Sequence, residues 1–190
     1  MNFELNFQIE LKEKLKNLNI DTRPQTSKEY FKALQIVYYA LIAGQVLFGL
    51  LAFYLIQTRL FDGDQKELRD IFIYIVPVFV AGGLFGSGIL FKSRLNLAKE
   101  KTSLYEKMSD YRSALIVRYA LLEGPSFFGI VVFLITGDYL FLGMSGLIIA
   151  VFFTLMPTAN RAVNDLELSA NDTHTINDPN GVISELKPEK

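Results

Sequence analysis

One acidic residue of this chain stands inside a long apolar stretch. Glu123 lies near the middle of the segment from Ser113 to Thr136, whose other charged residue is Arg118. A charge at the centre of a bilayer costs several kcal/mol unless it is neutralised or paired, so such residues face a bundle interior or a cavity. Glu123 is therefore a candidate site for a proton or a small cation. The competing interpretation is a buried, hydrogen-bonded carboxyl group that fixes helix register.

Composition excludes several other kinds of chemistry. The sequence has no cysteine, so disulfides, thiolate metal sites and cysteine nucleophiles are ruled out. The only histidine, His174, lies in a polar segment, which argues against a histidine-based metal site or catalytic triad. The formal net charge of −1 gives no sign of a nucleic-acid partner. We expect a protein that is not an enzyme and holds neither a metal nor a cofactor.

The apolar residues are gathered into four blocks separated by charged segments. A helix needs about 20 residues to cross the hydrocarbon core of a bilayer. Inside the bilayer no water satisfies free amide groups, so spanning segments must be helical. The sequence thus predicts an all-α integral membrane protein with four transmembrane helices, over residues 33–57, 71–91, 113–136 and 139–157.

Lysine and arginine residues predict the orientation, since they accumulate on the cytoplasmic side. Residues 1–32 and 92–112 carry six each, the loop 58–70 carries three, and the turn Gly137-Asp138 carries none. Both termini and the middle loop should therefore be cytoplasmic. Residues 1–32 are expected to form an amphipathic and linker segment, and residues 158–190 a polar tail, largely disordered beyond about Leu168. The predicted location is the cell membrane, which is the inner membrane in a Gram-negative bacterium.

The first and third spans are similar when they are aligned with an offset of 80 residues. The identical positions are Ile36, Val37, Tyr39, Ala40, Leu41, Gly44, Phe48, Gly49 and Phe53, which match Ile116, Val117, Tyr119, Ala120, Leu121, Gly124, Phe128, Gly129 and Phe133. The pattern predicts a duplicated helical hairpin whose two copies enter the membrane from the cytoplasmic side.

The repeat also isolates what is particular to the second copy. Glu123 replaces Ala43, and Pro125 replaces Gln45. Gln45 should lie at a similar depth to Glu123, which makes a hydrogen bond between them plausible, and Tyr119, four residues before Glu123, is a second candidate partner. Arg118 should extend to the cytoplasmic headgroups or pair with another helix.

Small residues in the spans indicate close helix packing. Gly82 and Gly86 form a GxxxG pair in the second span, and small-xxx-small pairs in the others involve Gly44, Gly124 and Gly146. A compact four-helix bundle, or assembly with neighbouring chains, follows. Tyrosines near the span ends fit a belt at the membrane interface, namely Tyr38, Tyr39, Tyr54, Tyr74, Tyr111 and Tyr139.

The region from Ile71 to Thr136 resembles the rotor-ring proteolipid subunit of rotary ATP synthases. The carboxylate-bearing helix of that family is similar to Ala120-Leu-Leu-Glu-Gly-Pro-Ser-Phe-Phe-Gly-Ile-Val-Val132, and its glycine-rich helix is similar to the stretch from Gly82 to Gly88. The resemblance implies that Glu123 is a reversible proton or sodium site, protonated when it faces lipid. The middle loop is longer than in that family and lacks its Arg-Gln-Pro-type signature.

Two functional hypotheses follow. The favoured one is a non-catalytic scaffold or assembly subunit of a membrane complex, whose partners are the lipid bilayer and either further copies of itself or other membrane subunits. The alternative is a rotor-like or transport-associated subunit that binds a proton or cation at Glu123, with Gln45 and Tyr119 as further candidate ligands. The scaffold is favoured because one acidic residue on one helix is thin support for transport.

Overall fold

The computed structural model describes residues 23–61 and 66–186. Its elements are, in chain order, β1 (Arg23–Thr26), α1 (Ser27–Gln57), α2 (Lys66–Lys99), α3 (Leu104–Thr136), α4 (Tyr139–Phe153), α5 (Ala159–Leu166), α6 (Ala170–Asn177) and β2 (Val182–Leu186). The predicted amphipathic segment before residue 23 lies outside the described residues, as does most of the acidic turn in the loop 58–70.

Three helices are long and apolar enough to cross a membrane. They are α1, α2 and α3, with 31, 34 and 33 residues. At 1.5 Å per residue each is more than about 45 Å long, which exceeds the roughly 30 Å hydrocarbon core, so their charged ends extend past it. This confirms the first three predicted helices, and it extends two of them into residues 92–112. The fourth apolar segment forms a shorter helix, α4, of 15 residues.

The third helix is the centre of the fold. Half of the residues in the apolar window of α3 are buried inside the protein, against 22% in the windows of α1 and α2. It packs on α1, α2 and α4, and its buried residues point in several directions around its axis. The apolar residues left exposed on α1 and α2 form the outer surface that a bilayer would cover.

The packing is not that of two equivalent hairpins. The second hairpin, α3 with α4, is a closely packed pair, whereas α1 and α2 hardly touch each other and pack chiefly on α3. A duplicated hairpin predicts that both pairs pack alike. The internal repeat therefore stays a prediction from the sequence, and the arrangement of the helices does not reproduce it.

The tightest approach of α2 to α3 is at Gly83. A Cβ atom at this position would lie 2.7 Å from the carbonyl oxygen of Leu121 and 2.7 Å from Cγ of Pro125. Pro125 has no N–H, so the Leu121 carbonyl has lost its usual partner within the helix. The backbone of Gly83 covers that carbonyl, an arrangement that brings a Cα–H group towards a free acceptor. Proline and glycine thus act as a pair across the α2–α3 interface.

The close approach of α3 to α4 is at Gly129, where a Cβ would collide with Oγ of Ser145. These two contacts correct the packing predicted from small-residue pairs. Gly44 has only an ordinary contact with Phe127, and the other four predicted glycines have no atom of another element within 4 Å of a built Cβ: Gly82, Gly86, Gly124 and Gly146. Within the chain, α2 and α3 therefore meet at Gly83 and not at Gly82 or Gly86. The alternative, that those two glycines pack against a neighbouring chain, stays a prediction.

Polar contacts hold together the end of the bundle where α1 meets the 58–65 loop. Gly137 ends α3 with φ of 68°, a left-handed conformation that suits glycine, and this confirms the predicted tight turn. Asp138 accepts hydrogen bonds from the Leu140 N–H (2.9 Å) and from Nε of Arg69 (2.6 Å). These donors, the Leu140 amide first, hold the pKa of Asp138 below its usual value, so its carboxylate is charged at neutral pH.

The opposite end is a folded cap, which contradicts the predicted disordered tail and adds a small sheet to the predicted all-α fold. Strand β2 pairs with β1 in an antiparallel ladder, and both α5 and α6 begin with side-chain caps, Thr158 and Ser169. The tail is ordered because its few apolar residues, Leu166, Ile176 and Ile183, are buried in the core. Composition had suggested disorder because these residues are sparse and far apart in the sequence.

The predicted amphipathic and linker segment 1–32 ends in regular secondary structure where the structure describes it. Residues Arg23–Thr26 form β1, and α1 begins at Ser27, six residues before the predicted span. Thr26 and Glu29 make a reciprocal capping box, in which each side chain accepts a hydrogen bond from the other residue's amide. The Thr-x-x-Glu spacing is a signal that sequence reasoning could have used.

The Gly83 contact predicts that alanine destabilises the protein at position 83 but not at position 82. Gly83→Ala should lower the free energy of unfolding by about 1–3 kcal/mol, because the new methyl group overlaps Leu121 and Pro125. Gly82→Ala is the matched control, since its methyl group meets no atom within 4 Å. Thermal unfolding of the two purified variants in the same detergent measures the difference. Equal melting temperatures would show that α2 and α3 do not approach at Gly83.

Candidate functional site

The candidate carboxyl group lies on the central helix. Glu123 is half-buried on α3, two residues before Pro125. Within the described part of the chain it has no hydrogen-bond or salt-bridge partner, although six salt bridges form elsewhere, at the ends of the helices and in the cap. The position agrees with the prediction of an acidic group among apolar helices.

The first predicted partner of Glu123 is turned elsewhere. Gln45 is completely buried on α1, and its Nε2 donates to the Leu41 carbonyl of the same helix at 3.2 Å. Its Oε1 is enclosed and has no partner among the residues that the structure describes. The predicted hydrogen bond between Gln45 and Glu123 does not form, because the glutamine side chain folds back on its own helix.

The second predicted partner is also engaged with another group. The Tyr119 hydroxyl donates to the Leu155 carbonyl oxygen at 3.0 Å. The structure therefore does not bring Glu123, Gln45 and Tyr119 together into one set of ligands. Gln45 and Tyr119 each donate to a backbone carbonyl, whereas the Glu123 side chain has no described hydrogen-bond partner.

Two buried tyrosines instead hold the end of α4. The Tyr38 hydroxyl donates to the Phe152 carbonyl at 2.9 Å, next to the Tyr119 bond, and the rings of Tyr38, Tyr119 and Phe152 pack with centroids 5.3–5.8 Å apart. Tyr38 is 1% exposed, so the predicted place of this residue in an interface belt is wrong. The same correction applies to Tyr111, which is fully buried.

Two further side chains donate hydrogen bonds to backbone carbonyl groups in the stretch directly after α4. Nη1 of Arg161 donates to the Thr154 carbonyl at 2.7 Å, and Nε2 of Gln35 donates to the Pro157 carbonyl at 3.0 Å. Backbone carbonyls beyond the last helical hydrogen bond need other donors. Gln35, Tyr119 and Arg161 supply them. The Phe152 carbonyl already accepts from the Leu155 N–H at 2.9 Å and gains a second hydrogen bond from Tyr38. Sequence reasoning missed this cluster, because nothing in the spacing of Tyr38 and Tyr119 relates them to α4.

The arrangement has no reactive geometry. The tyrosine hydroxyls are donors to backbone oxygens, and no described base lies in position to activate one. Among the described residues there is no group of three or more histidine, cysteine or acidic side chains that could hold a metal ion. The cluster is a structural site that fixes where the fourth apolar segment ends.

Comparisons with protein-family models, with curated proteins and with solved structures each find no match for this chain. The resemblance to the rotor-ring proteolipid accordingly stays a prediction from the residues quoted for it.

The tyrosine cluster predicts a loss of stability when either hydroxyl is removed. Tyr38→Phe and Tyr119→Phe should each lower the free energy of unfolding by about 1 kcal/mol, since each leaves a carbonyl without its side-chain donor. Tyr74→Phe is the control, because Tyr74 is 76% exposed. Melting temperatures in detergent measure the effect. A loss as large for Tyr74→Phe would contradict the role of the cluster.

Proposed function

We propose that this chain is a multi-pass protein of the cell membrane that crosses the bilayer four times with both termini in the cytoplasm. It acts as a non-catalytic scaffold or assembly subunit of a membrane complex.

The fourth crossing is supported by the length and hydrogen bonding of the segment after Gly137. Helix α4 has 15 residues and rises about 22 Å. Residues 154–155 continue it as a tight turn at about 2 Å per residue, and residues 156–157 can add up to about 7 Å. The sum slightly exceeds a hydrocarbon core of about 30 Å. Non-helical backbone is tolerated at membrane depth only where protein groups satisfy it. The donors from Tyr38, Tyr119, Gln35 and Arg161 meet that condition.

The orientation is supported by the side on which cationic residues gather. The end of the bundle that carries β1, β2, α5 and α6 also holds the connection between α2 and α3, with its lysines and arginines. The opposite end has few such residues, and Arg69 there is neutralised by Asp138 at 2.6 Å. The excess of positive charge marks the first end as cytoplasmic.

The observation that carries the scaffold function is the open face of α2. This helix packs mainly on α3 and exposes a stripe of large apolar side chains, Tyr74, Val78, Phe85 and Ile89, each at least 70% exposed. Gly82 and Gly86 lie in the same stripe and face open space. Large residues flanking small ones at this spacing suit the close approach of another helix in a membrane, where packing rather than hydrophobicity drives association.

The scaffold function predicts an assembly that depends on this stripe. Extraction in a mild detergent should yield a species larger than one 21.5 kDa chain, measured by chromatography with light scattering. The double variant Gly82→Leu, Gly86→Leu should reduce it to single chains, because the added side chains fill the face without touching the chain's own core. Gly143→Leu, at an equally open position on α4, should leave the assembly intact. A wild-type monomer, or equal behaviour of the two variants, overturns the proposal.

A second function is supported by the state of Glu123. Its carboxyl group is half-buried on the central apolar helix and has no described partner, which is the condition of an exchangeable proton or cation site. The chain would then be a rotor-like or transport-associated subunit.

This alternative predicts that a hydrophobic carbodiimide labels Glu123 in an intact preparation. Such reagents react with protonated carboxyl groups in apolar surroundings, so labelling should fall as the pH rises or as sodium is added. Glu123→Gln is the control and should remain unlabelled, as judged by mass spectrometry of the intact chain. An unlabelled wild-type protein rules out the ion site and leaves the scaffold function untouched.

A further inference from the structure

We propose that Arg118, stacked on Phe91 at the cytoplasmic end of the bundle, binds the phosphate of an anionic lipid headgroup. This inference rests on the proposed membrane location and adds a specific ligand to it.

The guanidinium group of Arg118 is held in place but not paired. Its Cζ lies 4.5 Å from the centre of the Phe91 ring, a cation–π contact that joins α3 to α2. No described carboxylate lies within salt-bridge distance of Arg118. Its Nε is enclosed and, among the described residues, has no acceptor. The two Nη groups are not enclosed and make no described hydrogen bond or salt bridge. Because an arginine stays charged in proteins, these free donors can bind an anion that the described chain does not supply.

The charges around Arg118 leave an excess of positive charge. The charged groups that act on it are Arg161 and Asp165, both on α5. Asp165 already accepts a hydrogen bond from the Tyr111 hydroxyl at 3.2 Å and lies 4.0 Å from Nε of Arg161. Two cations therefore share one carboxylate that is itself engaged, and the local net charge is positive. An anion is the complementary ligand.

The depth of the group selects a lipid rather than a free anion. Phe91 is the last residue of the second predicted span and is followed by Lys92, so the stacked guanidinium lies at the boundary between hydrocarbon and headgroups. Arg118 itself is five residues, or about 7.5 Å, inside the third predicted span, and arginine side chains reach such a boundary from inside the hydrocarbon.

The geometry of the group also suits a phosphate. A planar guanidinium donates two parallel hydrogen bonds to a phosphate oxygen pair, and basic pockets between transmembrane helices on the cytoplasmic side bind anionic headgroups. The Phe91 ring fixes the plane of the guanidinium, so less side-chain entropy is lost when the lipid binds.

The test measures the melting temperature of the full purified chain in a neutral detergent with added phosphatidylglycerol, phosphatidylcholine or inorganic phosphate. Phosphatidylglycerol should raise the melting temperature by about 3 °C or more, because a ligand that binds only the folded state stabilises it. Phosphatidylcholine and inorganic phosphate should not. An equal shift with phosphatidylcholine overturns the proposal, and a shift with inorganic phosphate alone shows a free-anion site and overturns the assignment to a lipid.

Variants test whether Arg118 is the residue that binds phosphatidylglycerol. Arg118→Gln should weaken phosphatidylglycerol binding about tenfold or more, since it removes a charge-assisted pair of hydrogen bonds. Arg118→Lys keeps the charge, loses the bidentate geometry and should bind with intermediate affinity. Arg94→Gln removes an exposed arginine of α2 near the same end and should bind like the wild type. An unchanged affinity in Arg118→Gln, or an equal loss in Arg94→Gln, contradicts the site.

Native mass spectrometry provides a second measurement, with one phosphatidylglycerol retained by the wild type and lost in Arg118→Gln. Resistance of the wild-type protein to alkaline carbonate extraction from membranes tests the membrane location separately. A protein that resists extraction but shows no preference for the anionic lipid disproves the lipid site alone.

Discussion

Backbone carbonyl groups without helical partners decide how the elements of this protein are arranged. Such places include the Leu121 carbonyl, freed by Pro125, and the stretch where α4 ends. In apolar surroundings each free carbonyl must be covered by another part of the chain. Gly83 covers the first, and side chains of α1, α3 and α5 cover the second. The contacts that satisfy these groups are also those that join α2 to α3 and α1 to α4.

The central position of α3 follows from the same requirement. It carries the proline that frees a carbonyl towards α2, the tyrosine that serves the end of α4, and the glycine against which Ser145 packs. Because α3 makes such contacts on several sides, it is buried on several sides. This explains why half of the residues in its apolar window are buried. The outer helices have fewer such contacts and keep broad apolar faces for lipid or for a partner. Glu123 lies on this central helix, two residues before Pro125, without a described partner of its own.

The folded cap belongs to the end of the bundle where α2 connects to α3. Strands from both ends of the described chain pair there, and α5 brings Arg161 and Asp165 beneath the bundle. These two residues set the charge around Arg118, and Arg161 also donates a hydrogen bond to the chain after α4. A flexible tail could do neither. The cap therefore belongs to the same structural unit as the helices. The excess of positive charge where the two meet arises because α5 places Arg161 near Arg118.

The sequence by itself determined the long helices and the turn at Gly137, and it placed Glu123 among apolar residues, because hydropathy over 20 residues and the conformation of glycine are local properties. Capping boxes and side-chain caps, such as that of Thr26, are equally local. Only the tertiary structure decided that Gly83 and Gly129, rather than Gly82 and Gly86, are the contact glycines. It alone turned Gln45 and Tyr119 away from Glu123, and it ordered the tail through Leu166, Ile176 and Ile183. Each of these outcomes depends on which face of an element meets a neighbour far away in the chain, and the free energy of that contact is absent from any local pattern.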